Sequence, residues 1–553
     1  MGQYIHHLFG INKITLILLL IVLTPLFKHT FSCRLSLTKI KATTLCMGFI
    51  SLYLSYFFIF LSNPIFDGDQ INIIAGAAQL AKGFETTVLY RYDNQPLTYW
   101  ILSIGAQVFN MDLPFASQKL AQMSLIISLI LIFLIAQETF SFSGGLLILI
   151  FSTLIHELII NGTYYNSSIM AMPFLYTAVY ILIKYRYQAT SFILANIILA
   201  TSFYVRNDTI LFLPAVYFVY LIKRKFALSL IGIFIFCSTL VFLNIFLNIN
   251  LSNIYFHAND HMTHFTRTLP QMLIHLFSAA PLMVFIMAIL GVIQLFITRQ
   301  YMFLSIFLAA IGPTVIFYAK TFTTPKYFLY IYPILAGLMY HGWLLIKNLR
   351  NKELSHWLKS FFVFFVTWQS FLCLINIDFP TILHKPLIRL RRPKIIFTHD
   401  GYRPLTGSLL FPFVQNKEQK NKFKYYQETL EKLSQKSINT IFWTDNWDFR
   451  GILNYHFSIR ADSAYGINLF NIAPFKDEHV YTIGNRTVRV HYARHLNDED
   501  YHKSLNLATK DKTTNIFIVS HTSGLLSSNI FKKARFVAYD SPFEKIIILP
   551  AQP

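Results

Sequence analysis

The sequence predicts a polytopic α-helical membrane protein with a C-terminal α/β domain. Three observations carry this. Of the 553 residues, 54% are hydrophobic and 13% are charged, whereas a water-soluble chain needs roughly 25% charged residues to cover its surface. The apolar residues, 54 Phe among them, fall in long runs, and such runs match a bilayer core of roughly 30 Å. Beyond residue 380 the runs stop, and short apolar stretches alternate with helical patterns, as in α/β folds. The expected division is a transmembrane catalytic domain at 1–379, with a first outer loop at 63–116, and an outer α/β domain at 380–553.

Twelve spans are expected, at about 11–27, 44–62, 117–136, 143–160, 168–183, 190–204, 209–222, 226–248, 271–297, 301–318, 327–346 and 360–376. Ile14 to Phe27 has no small-residue cleavage site after it, so it reads as a retained span rather than a signal sequence. Orientation follows from the basic loops. Lys28, Arg34, Lys39 and Lys41 follow the first span, Lys184 and Arg186 the fifth, and Lys223, Arg224 and Lys225 the seventh. Lys347, Arg350, Lys352 and Lys359 separate the last two. All four loops fall on one side, which the positive-inside rule assigns to the cytoplasm. The other side receives 63–116, 161–167, 205–208, 249–270, 319–326 and everything after 377.

Within the first outer loop, Ile71 to Lys82 has apolar positions at helical spacing and Tyr99 to Phe109 is again apolar. Both are expected as short amphipathic helices on or in the membrane interface. In the C-terminal part, Glu418–Gln435 and Asn446–Tyr455 read as helices. Asn439–Thr444, Thr514–Val519 and Lys545–Leu549 read as strands, and Val480–Tyr492 as a hairpin turning at Gly484-Asn485. That part has no cysteine, so no disulfide framework exists there. The net charge of +21 combines topology with a basic groove suited to a phosphorylated substrate. No nucleic-acid motif accompanies it, so nucleic acid is not an expected partner.

Chemistry-bearing residues gather on the outer side. Asp67-Gly68-Asp69 follows the second span directly. Its carboxylates suit a general base or a divalent cation, or a plain turn or helix cap. A helical stretch closing at Gly83 comes next, then Tyr90-Arg91-Tyr92-Asp93-Asn94-Gln95-Pro96-Leu97-Thr98-Tyr99-Trp100. Later come Val205-Arg206-Asn207-Asp208-Thr209 through Pro214, and Thr324-Pro325-Lys326-Tyr327 through Pro333. In this order the segments resemble the membrane-embedded glycosyltransferases of C-type fold, in particular lipid A aminoarabinose transferases and protein O-mannosyltransferases. Those families have an acidic residue opening the first outer loop, a helix ending in Gly, and a Pro-Pro-Leu-Tyr-Tyr-Trp-like motif. They also have an Arg-bearing segment entering a span and a basic-aromatic segment before a late span. The resemblance covers about residues 44–346. Two departures stand out. Asp93-Asn94 replaces the Glu-Lys of aminoarabinose transferases, and Asn161 to Ser168 lacks the Asp often found in that loop.

The resemblance implies an inverting transfer of a sugar from a polyprenyl-phosphate donor to an extracytoplasmic acceptor: lipopolysaccharide or lipid A, another glycan, or a protein. It also implies a bacterial inner membrane, with the site on the periplasmic face. The residue inventory fits such a donor, whose phosphate needs cationic partners and whose acceptor needs a base. Asp69 is the candidate base, supported by Asp67. Arg206 and Lys326 are candidate phosphate partners, with Arg91 and Lys320 behind them. Tyr92, Tyr99, Trp100, Asp93 and Glu157 are candidates for sugar, lipid or acceptor contacts. Each has a plainer reading: an Arg206–Asp208 surface ion pair, a snorkelling Lys326, and interfacial aromatics. No cofactor is firmly implied. His257 and His261 have i, i+4 spacing, as do Asp260 and His264. Such spacing can hold a divalent metal, although a polar loop explains it as well. Arg389, Arg391, Arg392 and Lys394 suit anionic headgroups or a solvated linker. Three other readings compete: a flippase for lipid-linked saccharide, a non-catalytic envelope scaffold, and a glycan polymerase or ligase.

Overall fold

A computed structural model describes residues 68–84, 94–153, 155, 158, 161–162, 165–185, 188–222, 225–251, 254, 282–319, 325–362, 428, 430, 439–445, 447–468, 476–493, 513–519, 537–540 and 545–549. The first two expected spans and the last one lie outside these residues, as do the expected helix 418–435 and the basic stretch after 380.

Two helices precede the bundle. α1 is Gly68–Ala81 and α2 is Pro96–Val108. Pro96 opens α2, a position whose N–H would have no helical partner and whose φ the ring presets. α1 ends in a turn at Gly83, whose φ of 72° lies in the left-handed region that glycine enters freely.

The bundle follows: α3 Leu113–Thr139, α4 Phe142–Thr153, α5 Ser167–Lys184, α6 Ala189–Val205, a 3-10 turn Asn207–Phe212 leading into α7 Leu213–Ile222, and α8 Phe226–Phe246. Then come α9 Leu282–Ile297, α10 Tyr301–Tyr318, a 3-10 turn Pro325–Phe328, and α11 Tyr332–Lys347. Each expected span from 117–136 to 327–346 contains a helix within the described residues, although 209–222 and 327–346 begin with 3-10 turns and only parts of 143–160 and 271–297 are described. Helices α3, α5, α8 and α10 are long and apolar enough to cross a membrane. The outward face of α8 carries Phe234, Phe242, Ile245 and Phe246 at 65–74% exposure, a surface that water disfavours and lipid accepts. The chain is an integral membrane protein. Some serine hydroxyls inside the helices bond to the preceding turn: Ser128 donates to the Ser124 carbonyl at 2.7 Å and Ser152 to the Ile148 carbonyl at 2.8 Å.

The C-terminal region forms one seven-stranded sheet, in the order β2-β3-β4-β1-β5-β7-β6. Its strands are β1 Asn439–Thr444, β2 Ser463–Asn468, β3 Lys476–Ile483, β4 Arg486–Ala493, β5 Thr514–Val519, β6 Val537–Asp540 and β7 Lys545–Leu549. The central strand β1 runs parallel to β4 and β5, and the remaining neighbours are antiparallel. β3 and β4 make the expected hairpin, with Ile483 paired to Arg486 across Gly484-Asn485. Helix α12, Trp447–Ser458, follows β1 and packs Phe457 against Phe442 and Tyr481 on one sheet face.

One expectation changes. α1 was expected as a short amphipathic helix on or in the membrane interface. Its polar residues Gln70, Asn72 and Gln79 are instead 0–4% exposed. The polar face of α1 lies against the C-terminal region, with Gln79 Nε2 donating to the Tyr481 hydroxyl at 2.8 Å. Buried amides persist because they find such partners.

Candidate active site

The outer loops converge at one end of the bundle. Gln70, next to Asp69 in the first turn of α1, donates to Ser117 Oγ of α3 at 3.0 Å. Thr98 of α2 donates to the Val205 carbonyl at 2.9 Å, and the Thr98 carbonyl accepts from Tyr165 at 2.7 Å. Helix starts at 68, 113, 167 and 332 and helix ends at 205 and 318 thus face the same region. At the opposite end Lys184 pairs with Glu138.

Arg206 sits where α6 gives way to the 3-10 turn, on extended backbone with φ −159°. Its Nε donates to both oxygens of Asp208 at 2.8 Å, and its Nη1 to Ser167 Oγ at 3.0 Å. The Arg206–Asp208 pair is not a surface feature: the side chains are 16% and 10% exposed. Tyr318 at the end of α10 also donates to Asp208. Among the described residues nothing bonds Arg206 Nη2, so one arm of its fork stays available.

Three further features surround that arm. The guanidinium lies 4.7 Å from the ring centre of Tyr327, and Lys326 Nζ lies 5.9 Å from the same centre, which brings the two cations onto one ring. Ser167 and Ser168 begin α5, capped by Asn166 Oδ1 accepting from Ile169 N at 3.0 Å. That helix start carries partial positive charge and first-turn amides. Finally, the hydroxyls of Ser168 and Tyr330 are buried close to one another and to Asp208, with no well-formed hydrogen bond among the described residues. Among the described residues, two cations and one carboxylate gather here beside the helix start. Such a place favours an anion with several acceptor oxygens.

An apolar cavity of about 340 Å³ lies between α3, α5, α7, α10 and α11, with Phe212 and Pro333 at the margin nearer this polar end and Thr139 and Ile183 at the other, near the Lys184–Glu138 pair. Phe212, Tyr176 and Pro333 are among its walls. Phe212 ends the turn that carries Asp208, and Tyr176 donates to the Tyr330 carbonyl at 2.8 Å. The cavity therefore adjoins the segments that hold Arg206 and Tyr330.

No protein-family model and no curated protein matches the sequence. Solved structures match in fold. One is ArnT from Cupriavidus metallidurans bound to undecaprenyl phosphate, with TM-score 0.57, 9% identity, and coverage of 91% of this chain and 98% of that one. The same protein in the apo state gives TM-score 0.57 at 10% identity, covering 92% and 98%. The chain has the ArnT fold. ArnT is a lipid A aminoarabinose transferase of the C-type glycosyltransferase fold, so the resemblance read from the motifs is matched in three dimensions. The ArnT match also extends well beyond residues 44–346, into the C-terminal region.

The sequence-predicted residues divide as follows. Asp69 occupies the first turn of α1, and Arg206 and Lys326 come together around Tyr327. Tyr99 is fully buried, which withholds its ring face from a sugar and makes it part of the wall. Trp100 is 36% exposed on α2. Asp67, Arg91, Tyr92, Asp93, Glu157, His257, His261 and Lys320 lie outside the described residues. Among the described residues no group of three or more His, Cys, Asp or Glu side chains is placed to hold a metal. Ser167, Ser168, Tyr318 and Tyr330 were missed. Each sits at the end of an apolar run, where a hydroxyl reads as membrane-interface composition.

Proposed function

We propose that this protein is an integral membrane glycosyltransferase that moves a sugar from a polyprenyl-phosphate donor to an acceptor outside the cytoplasm, in a bacterial inner membrane. One observation carries the reading: a cationic, hydroxyl-lined anion place adjoins an apolar cavity within the ArnT fold. A polyprenyl phosphate has the same two parts, a charged head and a hydrocarbon tail. ArnT was solved with undecaprenyl phosphate bound, which supports the same class of lipid here.

In this reading the apolar cavity takes one part of the tail while the rest stays in lipid, and Arg206 Nη2 and Lys326 bind the phosphate. The hydroxyls of Ser168 and Tyr330 and the first-turn amides of α5 complete its shell. The acceptor hydroxyl attacks the anomeric carbon from the face opposite the phosphate. As the new carbon–oxygen bond forms, the bond to the phosphate oxygen breaks. The electron pair leaves with the polyprenyl phosphate, and the configuration inverts. Asp69 takes the acceptor proton. The leaving phosphate needs charge stabilisation rather than a proton, which fixed cations and amides supply. Lipid A, another glycan or a protein all present a suitable hydroxyl or phosphate oxygen.

The test is transfer of radiolabelled sugar from membrane lipid to any acceptor, in cells carrying the wild-type chain or Asp69→Asn. The substitution keeps the size and removes the base. Loss of transfer at unchanged membrane protein level is the expected result. Wild-type transfer by the variant would remove Asp69 from the mechanism.

A further inference from the structure

Arg450 lies on α12 and is 1% exposed. Arginine keeps its charge at all ordinary pH values, so a guanidinium this deeply buried stays only where its N–H groups find acceptors. Its Nη1 donates to Asn72 Oδ1 of α1, and its Nη2 meets His479 Nε2 of β3 at 3.2 Å. Its guanidinium carbon lies 5.8 Å from the ring centre of Tyr492 on β4. A buried cation of the C-terminal region is thus tied to a residue 378 positions earlier.

The place of that tie matters. Asn72 is three residues beyond Asp69 on the same helix, which is about one turn. α1 and α12 meet closely here. A Cβ on Gly451 would lie 2.5 Å from Ile71 Cγ2 and 3.1 Å from the Asn72 amide nitrogen, so glycine is required for the approach. Farther along, Gln79 donates to the Tyr481 hydroxyl, which donates to Asn454 Oδ1 at 3.0 Å. Lys82 Nζ reaches the Ala461 carbonyl at 3.2 Å. The C-terminal region therefore holds α1 near its start, in its last turn and just past its end.

We infer that Arg450 is a positioning residue for Asp69, acting through Asn72 to fix the start of α1 and to hold a permanent positive charge against the helix that carries the base. The inference rests on the reading of Asp69 as general base. It assigns the C-terminal region a part in the reaction centre, beyond any role in acceptor binding. A nearby cation favours the ionised carboxylate, the form that accepts a proton. Arg450 does not touch the donor phosphate in this account, so donor binding is independent of it.

Full-length wild type, Arg450→Met, Arg450→Lys, Asn72→Ala and Asp69→Asn are compared in membrane vesicles. One readout is transfer of radiolabelled sugar across about pH 5 to 9, a range that spans the ionisation of a general base. The other is binding of undecaprenyl phosphate to the purified proteins. Arg450→Met is expected to lower transfer at least about tenfold and to move the acid limb of the pH profile up by about one unit. Binding of undecaprenyl phosphate stays at the wild-type level. Arg450→Lys, which keeps the charge, restores the position of the acid limb. Where Arg450→Met does not accumulate in the membrane, Asn72→Ala carries the test, because it cuts the same link and leaves the cation in place; a rate loss of the same order is expected. Wild-type rate and wild-type pH profile in Arg450→Met, or wild-type rate in Asn72→Ala, overturn the inference. Wild-type transfer by Asp69→Asn is a separate failure, that of the base assignment itself.

Discussion

Tyr318 and Asp208 stand 110 residues apart in the chain, and the tyrosine hydroxyl donates to the carboxylate. The same carboxylate accepts Nε of Arg206 on both oxygens. The three residues join the end of α10 to the junction between α6 and α7. Removing one member of a buried ion pair leaves the other charge unpaired and costs about 3–5 kcal/mol, whereas a hydrogen bond to a charged group is worth about 1.5–3 kcal/mol. Asp208→Ala should therefore lower the thermal unfolding midpoint in detergent more than Tyr318→Phe does. The reverse order would mean that Arg206 draws its support from elsewhere.

Arg206→Lys separates charge from shape. Lysine keeps the cation and loses the planar fork that spans Asp208 and Ser167 while leaving Nη2 available. Loss of one charge-assisted contact to the donor corresponds to at least about a tenfold weaker interaction. Binding of undecaprenyl phosphate to the purified variant measures this. Unchanged affinity would place the phosphate elsewhere.

Ser168 and Tyr330 permit a prediction of opposite signs. Each hydroxyl is buried near Asp208 with no well-formed hydrogen bond among the described residues. In the empty protein an unsatisfied buried hydroxyl contributes nothing favourable, so Ser168→Ala and Tyr330→Phe should leave the unfolding midpoint unchanged or raise it. If the hydroxyls donate to the phosphate, the same variants bind undecaprenyl phosphate about tenfold more weakly or worse. The stabilisation conferred by added lipid should shrink in parallel. A fall in stability without lipid, with no change in binding, would make both hydroxyls purely structural.

The fold was legible where the sequence carries a strong period or a cap. The apolar runs became helices, Pro96 opened α2, and Gly83 closed the turn after α1. The site was legible only in its charges. Arg206 and Lys326 stand out because cations are rare beside apolar runs. Ser167 and Tyr330 do not, because hydroxyls are common there, and only tertiary contacts decide which of them meet. The plain reading of Arg206 and Asp208 as an ion pair was right about the contact and missed its burial, which depends on Tyr318 and Tyr327 arriving from another part of the chain, Tyr318 lying 110 positions beyond Asp208. Strands β2 and β6 were also missed. β2 contains Ala464 and Gly466 and lies at the sheet edge, so neither propensity nor alternation marks it. The burial of α1 was beyond a local reading, because Asn72 and Gln79 look solvent-facing until Arg450 and Tyr481 are placed against them.

The C-terminal region should lose stability in mild acid through His456. This histidine lies on α12 at 1% exposure, and burial, aided by the Arg460 guanidinium, holds its pKa down at about 3. Arg460 Nη1 faces Nδ1 at 3.2 Å, so the ring is neutral with its proton on Nε2, which has no partner among the described residues. In the unfolded chain the same ring titrates near the ordinary value of about 6.5. Between about pH 6.5 and 3 the unfolded chain binds the extra proton and the folded one does not, so stability falls as pH falls through that window. The contribution is fully present above about 6.5, and from pH 7 to 5 it should shrink by about 2 kcal/mol. Thermal unfolding of wild type and His456→Gln over that range measures it. Whatever the stability of the variant at neutral pH, its slope against pH should be shallower than that of wild type. Equal slopes would show that His456 is solvated in the native state and that other groups set the acid limit.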